Sequence, residues 1–269
     1  MLQVLPRDRL KAFRCPLQDG IDNDLIILLA AQQRAVKSVC VGPLQDDALN
    51  LIDALQPWPL PFETIVVPWR LLSTNDYNFY HKLIERSRGR LRTLTIRVND
   101  FAWLGEDGNH EKSHACEGLA RGLFGHGEKG GNYNIPPLQL RHINFQNQSL
   151  KAFDRTWRLY IDFTRARTIR VWNCRHIDAM LQVLIDLSRE QTLQLDGLAI
   201  SLEDMGYAPT LAVAFARSDS VLLKDLWFAG AFDTIHTLVK NSLWSAILES
   251  LLSFRPSSRH IRHSLFEGS

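Results

Sequence analysis

The chain has 269 residues, of which 45% are hydrophobic and 22% charged, with a formal net charge of +2 at pH 7. That length and composition fit an ordinary globular protein with a substantial core. They exclude a low-complexity or highly charged chain, and the near-neutral balance argues against a strongly electrostatic nucleic-acid partner. Taken in chain order, short apolar segments follow one pattern, with hydrophobic residues at positions 1, 4 and 6: Leu10/Phe13/Cys15, Val36/Val39/Val41, Phe62/Ile65/Val67, Leu91/Leu94/Ile96, Leu140/Ile143/Phe145, Ala166/Ile169/Val171, Leu195/Leu198/Ile200 and Leu223/Leu226/Phe228.

Three chosen positions are all apolar by chance roughly one time in eleven in so hydrophobic a chain, so the spacing carries the inference. Successive starts lie 26, 26, 29, 49, 26, 29 and 28 residues apart, and six of these intervals fall in the range of a strand-plus-helix repeat. Between the strands the period changes to that of a helix. Ala48, Leu51, Ile52 and Leu55 recur on one helical face, as do Tyr80, Leu83 and Ile84, then Leu150, Phe153 and Trp157, and finally Ile177, Met180, Leu181, Leu184 and Ile185. Polar starters stand before several of them: Asp22-Asn23-Asp24, Asp46-Asp47 and Asn75-Asp76. The expected fold class is α/β, a leucine-rich-repeat solenoid of about eight irregular repeats, with a curved parallel sheet and helices on its convex side. A doubly wound α/β sheet is the structural rival.

The solenoid is expected over residues 1–252, with an insertion at 105–137 inside the 49-residue interval and an irregular tail at 253–269. The insertion holds two patterns that resemble chemistry. Gly125 to Gly130 spells GxGxxG, but the segment before it reads as a helix and GNYNIPP after it cannot start one, so a polar loop is expected instead of a dinucleotide fingerprint. His110, His114 and Cys116 would need His126 or Glu111 to complete a zinc site, and no second cluster follows at ligand spacing. No GxSxG, HExxH or Cys/His signature is present, so neither enzyme chemistry nor a cofactor or metal is expected. The first residues, MLQVLPRDRLKAF, do not form a secretory signal, and Leu25–Ala31 is too short an apolar run to cross a bilayer. With Cys15, Cys40, Cys116 and Cys174 far apart and read as reduced thiols, a cytoplasmic or nuclear protein is expected.

Residues at positions 2, 3, 5 and 7 of each repeat should leave the core. Position 2 reads Lys11, Lys37, Glu63, Arg92, Arg141, Arg167, Asp196 and Lys224, six of eight basic, and Arg14, Arg97, Arg170, Trp172 and Trp227 fall on the same presumed surface. Exposed arginine and tryptophan together are typical of protein-interaction anchors. The stripe therefore predicts a groove for a protein partner, acidic in character, with no membrane or nucleic acid involved.

The stretches LPRDRLKAFRC, LIILLAAQQRAVKSVCV and ARTIRVWNCRHIDAMLQVL resemble the degenerate repeats of fungal F-box/leucine-rich-repeat proteins. Asn99 and Cys174 stand at position 9, where that repeat has Asn or Cys, and Leu72, Phe101, Leu150 and Met205 fill position 11; position 9 is otherwise irregular, without an asparagine ladder. The resemblance implies the substrate-recognition part of a ubiquitin-ligase adaptor. Partnership with a Skp1/cullin complex is implied only if an F-box lies upstream, because the sequence opens directly into repeats. Two alternatives are an enzyme on an open α/β sheet and a truncated or decayed family member without independent function.

Overall fold

In the computed structural model, the residues described are 6–15, 32–33, 35–41, 60–67, 74–97, 123–124, 136–150, 153–155, 157–201 and 208–229. The chain divides into two compact units, residues 1–140 and 141–269. Each unit contains four described strands that pair in chain order and run parallel. The architecture is α/β.

The first unit holds β1 (Ala12–Cys15), β2 (Ser38–Val41), β3 (Thr64–Val67) and β4 (Thr93–Arg97), with helix α1 (Thr74–Ser87) between the last two. Ala12 pairs with Ser38, Ser38 with Thr64 and Thr64 with Thr93. These are position 3 of four successive repeats, so the register is the one the repeat alignment predicts. Helix α1 bears out the Tyr80/Leu83/Ile84 face: all three are buried, together with Phe79, as are Ile65, Val67, Leu94 and Ile96 of the strands. Buried Tyr80 also donates its hydroxyl to the Val41 carbonyl at 2.5 Å, tying the helix to β2.

The second unit holds β5 (His142–Gln146), a helical turn α2 (Trp157–Tyr160), a 3-10 turn (Phe163–Arg165) and β6 (Thr168–Trp172). There follow α3 (Ile177–Glu190), β7 (Leu193–Ser201), α4 (Ala208–Arg217) and β8 (Val221–Ala229). Its register again follows the repeats, with His142 opposite Thr168, Thr168 opposite Gly197 and Gly197 opposite Asp225. Of the predicted face on α3, Ile177, Met180, Leu181 and Leu184 are buried and Ile185 is half-buried, while Val183 and Leu187 are buried as well. An aromatic cluster fills the space behind β5: Phe153 stacks on Trp157 at 4.7 Å, and Phe145 meets Trp157 edge-on at 5.6 Å.

A spacing of three between positions 1 and 4 is foreign to a flat strand, whose side chains alternate with a period of two. Both positions are nevertheless buried, as in Val36/Val39, Leu91/Leu94 and Leu140/Ile143. The backbone resolves the conflict with a bulge. The position-2 carbonyl of one repeat accepts from the N–H groups of positions 2 and 3 of the next: Lys11 from Lys37 and Ser38, Lys37 from Glu63 and Thr64, Glu63 from Arg92 and Thr93, Arg141 from Arg167 and Thr168, and Arg167 from Asp196 and Gly197. The extra residue lets two consecutive side chains point outward before alternation resumes.

Two expectations change. Leu150, Phe153 and Trp157 are all buried but do not share a helix. The Leu150 N–H donates sideways to the Arg175 carbonyl at 2.9 Å, continuing the lateral ladder, and among the described residues from 150 to 160 only Trp157–Tyr160 turns helical. An asparagine rung does occur, one position earlier than the family pattern places it: Asn147 and Asn173, both at position 8, sit at positive φ of 54° and 52°, and the Asn173 amide donates to Asn147 Oδ1 at 2.8 Å. Cys174 at position 9 is buried, its thiol directed at the Trp172 carbonyl at 3.4 Å. The Ala48–Leu55 helix, the acidic starters at 22–24 and 46–47, Asn99 and the 253–269 tail lie outside the described residues, as do His110, His114, Cys116, His126 and the GxGxxG stretch of the insertion.

Candidate functional site

The bulge sets the site. Because positions 2 and 3 both face outward, the position-2 residues become neighbouring rungs on the uncovered side of each sheet. In the first unit these are Lys11, Lys37, Glu63 and Arg92; in the second, Arg141, Arg167, Asp196 and Lys224. All six basic side chains are exposed and both acidic ones half-buried. Each unit thus repeats the order cation, cation, carboxylate, cation.

The carboxylates take up part of the charge. Glu63 bonds Lys37 at 2.7 Å, and Asp196 bonds Lys224 at 2.6 Å. Lysine contact holds both acids below their usual range, Glu63 through Lys37 and Asp196 through Lys224, with further help from nearby Arg92 and Arg167 respectively. Both pairs are solvated, so each contributes little to stability.

In the first unit Arg14 and Arg97 are exposed at either side of a closed patch. Position 5 of β2, β3 and β4, expected to leave the core, is buried instead: Cys40, Val66 and Thr95 retain only 8%, 8% and 6% of their exposure. The three are adjacent in register, Cys40 opposite Val66 and Val66 opposite Thr95. Burial raises the Cys40 thiol pKa against the opposing pull of Arg97 and Arg14, so Cys40 is no reactive thiolate.

In the second unit the same face is open. Position 5 reads Asn144, Arg170, Ala199 and Trp227 across β5 to β8, and none of the four is buried. Trp172 and Trp227 are 51% and 40% exposed, two large amphipathic rings turned toward solvent. Arg141, Arg167, Arg170, Trp172, Lys224 and Trp227 of the sequence pattern are exposed in this unit. The pattern did not include His142 at position 3, which opposes Thr168 and shares a 2.8 Å hydrogen bond with Thr168 Oγ1, because one histidine among eight repeats carries no periodic signal.

His142 is held below its ordinary pKa by burial and by the charges of Arg170 and Arg141, with Asp196 pulling the other way. An anion bound between those arginines would relieve the repulsion and raise the histidine pKa, so binding takes up a proton. By linkage, affinity for an anion then rises as pH falls through the bound-state pKa and levels off below the lower free-state value. Fluorescence anisotropy with a labelled oligoglutamate peptide, ionised throughout, should show tighter binding at about pH 5.5 than at about pH 7.5. His142→Gln should flatten that slope; weaker binding at the lower pH would overturn the assignment.

Among the described residues, no three His, Cys, Asp or Glu side chains are grouped to hold a metal, and no helix is long and apolar enough to cross a membrane. Comparison of the chain with family models, with curated proteins and with solved structures returns no match.

Proposed function

We propose that the chain is a non-enzymatic protein-interaction scaffold that holds an acidic segment of a partner on the outward face of its parallel strands. The observation that carries this reading is the distribution of ion pairs in the second unit. In its helices and turns, Arg155 and Arg189 pair with Asp186, Arg158 with Glu190 and Arg165 with Asp162. On its sheet face, Arg141, Arg167 and Arg170 make no ion pair with any described residue, although Arg167 lies near enough to Asp196 to lower its pKa. Arginine presents a planar fork suited to carboxylates, and three such forks stand unmatched beside two exposed tryptophans.

Repetition at one strand per repeat supports a leucine-rich-repeat-like solenoid, in which stacking neighbours builds an extended surface and function follows from that surface. The resemblance to F-box/leucine-rich-repeat proteins extends the reading. In a longer chain bearing an F-box, this face would be the substrate-recognition part of a Skp1/cullin ubiquitin-ligase adaptor.

The test is binding of the full chain to a labelled oligoglutamate peptide, with oligoglutamine and oligolysine as controls. Replacing Arg141, Arg167 and Arg170 together by Glu should weaken oligoglutamate binding by more than about tenfold, since each tenfold step needs only about 1.4 kcal/mol, while the melting temperature stays nearly constant because all three are exposed. Unchanged binding, or equal binding of oligoglutamine, would remove the basic face as the site.

A further inference from the structure

The second unit's face carries a feature that charge alone does not explain. On β7 the outward residues after the bulge are small, Gly197 and Ala199, while the strands on either side carry large ones. One rung reads Arg170–Ala199–Trp227 and the next Thr168–Gly197–Asp225, with Trp172 two residues beyond Arg170. Side chains on a sheet stand roughly perpendicular to it, so β7 forms the floor of a slot walled by Arg170 and Trp172 on β6 and by Trp227 on β8. Adjacent strands lie about 4.8 Å apart, which puts the stems of Arg170 and Trp227 about 10 Å from each other. That width accepts one branched apolar side chain.

The fold does not demand the glycine. A Cβ built on Gly197 would meet only the Asp225 carbonyl at 3.9 Å and Thr168 Cγ2 at 4.0 Å, ordinary contacts. Glycine in a strand interior otherwise costs stability and offers nothing to pack. Its smallness is therefore spare with respect to this chain's own packing and leaves the floor open to another molecule.

The geometry points to an extended peptide segment in which a carboxylate neighbours a bulky aliphatic residue. The carboxylate meets the unpaired Arg170, and the aliphatic side chain drops onto Gly197 and Ala199 between the two indoles. Hydrogen-bond complementarity decides between a peptide and a nucleic acid. Asp225 lies in the slot wall without an ion pair among the described residues and Asp196 flanks it, so the wall offers acceptors to main-chain N–H groups, donors that a phosphodiester backbone lacks. This rests on the basic-face reading above, but adds an apolar requirement to it.

Two labelled peptides separate the claims, one alternating Glu with Leu and one alternating Glu with Gly, each titrated into the full chain alongside a single-stranded oligothymidylate. The Glu/Leu peptide should bind about tenfold more tightly, the gain of one well-buried apolar anchor. Gly197→Val fills the floor with a residue that strands favour. It should keep or raise the melting temperature while erasing the Leu preference, and leave Glu/Gly binding as it was. Trp227→Ala, at an exposed position, should also erase the preference, and Trp227→Phe should retain most of it. A Leu preference that survives both Gly197→Val and Trp227→Ala overturns the slot while the basic face stands. Loss of Glu/Gly binding in the wild type overturns both. Tighter binding of the oligothymidylate than of either peptide overturns the peptide assignment in favour of nucleic acid.

Discussion

Trp157→Ala should lower the stability of the second unit by about 3–5 kcal/mol, the loss expected when a large buried aromatic is truncated. Trp157 is 2% exposed, stacks on Phe153 at an interplanar angle of 16° and meets Phe145 of β5 edge-on. Phe153 in turn contacts Phe163 at 5.9 Å, so one ring joins the turn before β6 to the back of β5. Truncation leaves a cavity that three other rings cannot close, because each is held by its own backbone element. The cost should be visible in denaturant unfolding and as faster amide exchange in β5 and β6. Trp157→Phe keeps the stack and should lose less than half as much. Arg155→Ala, two residues away and paired only at the surface with Asp186, should cost less than about 1 kcal/mol. A Trp157→Ala variant that unfolds within about 1 kcal/mol of wild type would show that the ring cluster is not part of the cooperative core.

That cluster also marks where sequence reasoning reached and where it stopped. Strand register was legible because burial of positions 1, 4 and 6 recurs at each turn; Ser38, Thr64 and Thr93 stand opposite one another as the repeat alignment requires. The long helices were legible where a full apolar face was present, as in Ile177 to Leu187. The Leu150–Trp157 segment misled because three apolar residues at roughly helical spacing also suit a loop that buries alternate groups while its backbone bonds sideways to Arg175. Periodicity reports which side chains are buried, not which carbonyl receives each N–H. The bulge was implicit in the LxxLxL spacing, since no regular strand satisfies it, and from the bulge follows the doubled outward face that holds the basic stripe. What no pattern announced was the balance of charge. Glu63 and Asp196 stood out only as exceptions to a basic column, but each neutralises one lysine and leaves the arginines spare. Those spare arginines, and not the number of basic residues, are what the proposed recognition of an acidic segment rests on.

The second large effect lies at the start of the first unit. Gln33 is 2% exposed, and its side chain serves three backbone groups of the segment leading into β1: Oε1 accepts from the N–H groups of Arg9 at 3.0 Å and Leu10 at 3.1 Å, and Nε2 donates to the Pro6 carbonyl at 2.9 Å. Pro6 to Arg9 are exposed and gain little from packing, so this amide, with the Asp8 N–H bonded to the Gln32 carbonyl, is what fastens them. Gln33→Leu preserves volume but strands two donors and an acceptor. Each unsatisfied group would cost about 1–3 kcal/mol if it stayed buried. The segment is near enough to water to open instead, which caps the loss at about 2–3 kcal/mol and confines it locally. The expected result is amide exchange at Arg9 and Leu10 faster by roughly one to two orders of magnitude, with α1 and β3 unaffected. Gln33→Glu retains both acceptor contacts and loses only the donor to Pro6, so Arg9 and Leu10 should keep most of their protection. If both amides exchange at wild-type rates in Gln33→Leu, the segment is fastened by something other than this side chain.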